Sequence, residues 1–142
     1  MDIRYFGLLR LAQHFGPTMH ARGADGVNAA AGFVDLLSVH ALINWPQYGA
    51  FSAAEAACLA AQALRAELRG GGVKVLNMFT GPLDTEWFQS VPPPKLSPAA
   101  LDAATVDALR NGIEDATVGD TAQDIRARLD VQPKALEREL GQ

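Results

Sequence analysis

The chain has 142 residues, 49% of them hydrophobic and 20% charged, the balance of one soluble globular domain that can bury a core without metal or disulfide staples. A formal charge of −4, with 12 basic residues scattered among 16 acidic ones, argues against nucleic acid as a partner, and the single Cys58 has neither a disulfide partner nor a neighbour at metal-ligand spacing. Arg10, His14 and Asp35 interrupt the apolar runs, so neither a signal peptide nor a membrane span is expected and the protein reads as cytoplasmic.

Over the first twenty residues Ile3, Phe6, Leu9, Ala12, Phe15 and Met19 recur at three- and four-residue steps, which predicts a helix with one apolar face, kinked near its end by Pro17. A turn-rich loop is expected from Arg22 to Asn28. The short apolar run Phe33 to Val39 reads as a strand buried on both faces. From Ala50 to Arg69 the residues are strong helix formers, and Gly70, Gly71 and Gly72 stop that helix. Val73 to Phe79 reads as a second buried strand, so strand, helix and strand imply a right-handed parallel crossover. A proline-rich connection leads to a helix from Pro98 to Arg110 with Ser97 as its N-cap. Ala116 to Gly119 is expected as an edge strand, followed by helices from Asp120 to Leu129 and from Pro133 to Leu140.

In this order the pieces resemble the C-terminal half of the short-chain dehydrogenase/reductase family. Ser38, at the end of the first strand, precedes Phe51-Ser52-Ala53-Ala54-Glu55 by thirteen residues, a spacing that resembles the family's catalytic serine and its Tyr-x-x-x-Lys helix. Val73 to Asn77 followed by Gly81-Pro82-Leu83-Asp84-Thr85 resembles the next strand and the turn near the nicotinamide, and Ile3-Arg4-Tyr5-Phe6-Gly7 resembles the start of the preceding helix. The resemblance implies a single domain over residues 1–142: a truncated Rossmann-like α/β/α sandwich with about three parallel strands and four to six helices.

It also implies that the catalytic set is mostly replaced. Ser38 is the retained serine; Phe51 stands at the tyrosine position, Glu55 at the lysine and Arg4 at the asparagine. Phenylalanine cannot pass a proton, and the loss of a positioned acid or base removes on the order of 3 to 5 kcal/mol of transition-state stabilisation. A carboxylate in place of the ammonium opposes a phosphate-bearing ligand. Leu83 and Thr85 are the cofactor-binding candidates by the same resemblance, and no residue is a metal candidate. The glycine-rich dinucleotide turn has no counterpart, because Gly70 to Gly72 follow a helix rather than open one. No cofactor is therefore expected for this chain alone, with NAD(P) entering only if another polypeptide supplies the missing half.

Tyr48 is a weak substitute hydroxyl, His14, His20 and His40 read as surface or rim residues, and Trp87 and Phe88 either line an apolar pocket or pack beneath a loop. Alanines 50, 54, 57 and 61 either allow close helix approach between subunits or pack on the sheet. The expectation is a non-catalytic dimerisation or partner-binding module, a pseudoenzyme whose open sheet edge is covered in a homo-oligomer or heteromer. The alternative is a subunit or fragment of an NAD(P)-dependent oxidoreductase acting on a carbonyl or alcohol.

Overall fold

The computed structural model describes residues 2–25, 32–43, 45–56 and 58–142. A π-helical turn, Asp2–Phe6, leads into α1 (Gly7–Ala24). Strand β1 (Gly32–Ser38) is followed by α2 (Gly49–Glu55) and α3 (Cys58–Leu68). Strand β2 (Lys74–Thr80), α4 (Pro98–Asn111), β3 (Asp115–Val118), α5 (Asp120–Val131) and α6 (Pro133–Leu140) complete the chain.

The sheet has the order β1-β2-β3 and is parallel throughout. Asp35 lies opposite Asn77 and Ser38 opposite Thr80, while Asn77 lies opposite Asp115 on the other side. Because side chains alternate along a strand, the two sheet faces carry different cores. Phe33 and Val75 pack with Ala12, Ala61, Leu64 and Leu68 of α1 and α3. Leu76 and Met78 pack with Leu101 and Ala108 of α4. Beyond the strand ends, Val39 and Ile43 meet Ala122, Ile125 and Leu136 of α5 and α6. This is the expected α/β sandwich of three parallel strands, with six α-helices among the described residues.

Several local expectations change. The first helix runs on through Pro17 to Ala24, so Arg22 and Gly23 are helical rather than part of a loop. Of that loop, Gly26, Val27 and Asn28 lie outside the described residues. The long second helix is two: Ala56 leaves helical geometry, with ψ near 2°, although its own propensity favours a helix. The two pieces serve different targets, α2 closing over the end of β1 through Ser52, Ala54 and Glu55 and α3 lying along the sheet through Ala61, Leu64 and Leu68. Strand β1 is not buried on both faces, because it is a sheet edge with Val34 and Leu36 exposed.

Other expectations stand. Ser97 caps α4 by accepting from the Ala100 N–H at 3.2 Å. Gly72 ends the α3 segment with φ +66°, a left-handed value that suits glycine. Gly71 has a further reason, since a Cβ there would lie 2.7 Å from the His20 backbone where α1 crosses the turn. No described helix is long and apolar enough to cross a membrane.

Candidate functional site

Three of the four residues at the catalytic positions implied by the resemblance meet at the C-terminal end of β1. Glu55, on α2, is fully buried. Its Oε2 accepts the Ser38 backbone N–H at 2.7 Å, and Arg4 Nε lies 2.9 Å from Oε1 as an ion pair without hydrogen-bond alignment. Arg4 is brought there by the π-helical turn, and its Nη1 also donates to Leu36 O at 2.7 Å. That carbonyl faces the open side of β1, because the next one, Leu37 O, faces β2 and accepts from Thr80 Oγ1.

Burial raises the Glu55 carboxyl above its ordinary range; the Ser38 N–H and Arg4 pull it back, and Asp35, whenever it is ionised, raises it again. Asp35 is likewise raised by burial, with Arg4 opposing. Glu55 is thus neither solvent-facing nor free to receive a ligand hydroxyl.

The fourth residue, Phe51, stands apart. Its ring is 40% exposed and meets the edge of His40 at 5.4 Å between ring centres. His40 also contacts Trp45 at 4.3 Å and stacks on Tyr48 at 5.1 Å. It is a partly buried hub rather than a rim residue, its Nδ1 has no hydrogen-bond partner, and burial lowers its pKa below the ordinary imidazole value. Ser38 Oγ accepts from the His40 backbone N–H at 3.2 Å, so the hydroxyl caps the turn Val39–Ala41 instead of meeting a general base.

Leu83 pairs with Leu96 in an isolated bridge, and Thr85 opens the short turn Glu86–Phe88 without a side-chain cap bond. Trp87 is 83% exposed and so does not pack under that loop. His14 stays on the exposed surface of α1. Ala54 and Ala61 are buried, Ala50 is exposed, and Ala57 lies outside the described residues. Among the described residues no cluster has metal-ligand character.

A second polar cluster was not anticipated from sequence. Arg65, nearly buried on α3, donates from Nε to Val75 O at 3.1 Å and from Nη2 to Glu114 O at 2.7 Å and Asp115 Oδ1 at 3.0 Å. Asn77 Nδ2 donates to the same Asp115 oxygen at 2.8 Å. The available signal was a polar asparagine at the centre of an apolar strand, which a buried sheet tolerates only with partners.

The parallel sheet, flanked by α3 on one face and α4 on the other and bearing a serine-ended edge strand, defines an α/β protein of Rossmann-like architecture. No family model matches the chain. Two curated short-chain dehydrogenases, PC-15 of Penicillium crustosum and ptmH of Penicillium ochrochloron, are each 33% identical over 90 residues, covering 63% of this chain and 31% of theirs. A short-chain dehydrogenase from Burkholderia cenocepacia, solved in complex with NADP, superposes with TM-score 0.87 and 31% identity over 98% of this chain and 56% of that one. One from Streptomyces avermitilis shares the fold at TM-score 0.73 and 23% identity, over 96% of this chain and 60% of that one. These neighbours point to the short-chain dehydrogenase family, and the chain spans about half of the Burkholderia protein and under a third of the curated relatives.

Proposed function

We propose that this chain is a non-catalytic member of the family that serves as an association module. The observation that carries this reading is the fate of Glu55: at the position of the family lysine, its carboxylate is fully buried and committed to Arg4 and the Ser38 N–H. Phe51, at the tyrosine position, offers no proton. Phe51 and Glu55 do not fit a nicotinamide nucleotide, since a phenyl ring has no proton to give and a buried carboxylate cannot serve as a ribose-binding cation, and we derive no step through one. The purified chain, offered NAD(H) or NADP(H) with ketones and alcohols, is expected to leave the nicotinamide absorbance unchanged; turnover would overturn the reading.

Two surfaces support association. A groove of about 740 Å³ runs between α1 and α3, lined by Leu8, Leu9, Ala12, Pro17, Ala60 and Leu64, with Leu11, Phe15 and Leu59 exposed nearby. Its occupant in this reading is a second copy, and light scattering at micromolar concentration is expected to give a mass above that of one chain. The second reading is a subunit whose partner polypeptide supplies the cofactor site. It is favoured by the open edge of β1, where Val34 and Leu36 face α4 across a groove of about 350 Å³. A co-purifying protein with a glycine-rich dinucleotide turn would select it.

A further inference from the structure

Two buried oxygens on the α3 face of the sheet lack hydrogen bonds: Asp35 Oδ2 and Asn77 Oδ1. Both belong to acceptors as usually protonated, and their residues are register partners on adjacent strands. The orientation of the Asn77 amide is fixed by chemistry. Asp115 can only accept, so Nδ2, which bonds it at 2.8 Å, must be the end turned toward β3. The carbonyl end therefore turns toward β1, where Asp35 lies in register. Register places the two acceptors at neighbouring positions on adjacent strands, where lone pairs alone repel, whereas one proton between them makes a hydrogen bond and removes a buried charge.

We propose that Asp35 carries a proton in the folded chain and donates it to Asn77 Oδ1, leaving Arg4 and Glu55 as a charge-matched pair. With Asp35 ionised, one guanidinium would serve two desolvated carboxylates; with Asp35 neutral, the local charges balance. Burial, which raises the Asp35 carboxyl, works in the same direction. Among the described side chains, the charged and titratable groups on the elements packed around Asp35 are few. Arg4 and Tyr5 come from the π-helical turn, Glu55 from α2, Arg65 from α3, Asp115 beyond Asn77, and His40 from the turn after β1. Arg65 is spent on Val75, Glu114 and Asp115, and Lys74 donates to Leu109 O, so Arg4 is the one cation left to hold Asp35 ionised. Arg4 is itself occupied by Glu55 and Leu36 O. The proton site is independent of whether the chain carries an activity.

The test is the carboxyl carbon signal of Asp35 in the full chain, followed by NMR across pH. The neutral-carboxyl shift is expected to persist well above the ordinary aspartate range; a midpoint near the ordinary value of 3.8 would overturn the proposal. Asp35→Asn supplies a permanent donor in nearly the same shape. Its stability relative to wild type is expected to increase as pH rises, because the wild type must give up its proton and the variant has none to lose. A difference that stays flat with pH, or an Asp35→Asn chain no more stable than Asp35→Ala, would refute the hydrogen bond to Asn77.

Discussion

Replacing Arg4 by methionine removes a cation and keeps most of the apolar stem. Losing one partner of a fully buried ion pair costs about 3 to 5 kcal/mol, because the other charge is stranded. Glu55 is fully buried, but the Arg4 side chain is 43% exposed, so water already screens half of the pair. The Ser38 N–H remains on Glu55 after the change, and Leu36 O, on the open edge, is free to bond water. These discounts bring the expected loss to about 2 kcal/mol. Glu55→Gln keeps an acceptor for Ser38 without the charge, so Arg4→Met should cost only about 1 kcal/mol in that background, a coupling of about 1 kcal/mol. Urea unfolding of the four proteins of this cycle, followed by circular dichroism at neutral pH, measures it. A loss below about 0.5 kcal/mol for Arg4→Met, or additivity within about 0.3 kcal/mol, would show that the buried carboxylate does not depend on its cation.

Arg65→Met strands Val75 O and Glu114 O and leaves Asp115 with Asn77 but no cation, an expected loss of about 3 kcal/mol in the same unfolding assay, and a cost under about 1 kcal/mol would refute its bridging role. For His40 the folded pKa is lowered, so its contribution is complete above the ordinary 6.5 and is lost as pH falls through that value. His40→Phe is therefore expected to lose less stability than wild type on going from neutral pH to mild acid. Asp35 and Glu55 act oppositely, and because they are present in both proteins they cancel in the difference; identical pH profiles would show that the imidazole is not desolvated.

Helices α4, α5 and α6 and strand β2 were legible because their periodicity and caps are local: Ser97 before Pro98, and a mostly apolar run after three glycines. The break at Ala56 was not, since Ala and Glu favour a continuous helix, whereas Glu55 just before the break is held by the end of β1, a contact that sequence does not display. In the candidate site, the family resemblance brought out Arg4, Ser38 and Glu55, and the structure places Glu55 against both Arg4 and the Ser38 N–H. What the resemblance left open was direction: Glu55 turns inward to an arginine more than fifty positions away in sequence. Asp35 registered only as an interruption in an apolar run, and Arg65 only as one more helix former between Ala50 and Arg69. Both acquire meaning from partners on other strands.

Strand β3 has only four residues and a single neighbour, a length at which an edge strand ordinarily frays. Here Asp115, its first residue, is tied by Arg65 to α3 and by Asn77 to the central strand. The strand is riveted by side chains at the end where its backbone ladder begins. Amide protons in β3, β2 and α3 should therefore be released together, as one opening unit, and the periphery of this small sheet inherits the slow exchange of its centre.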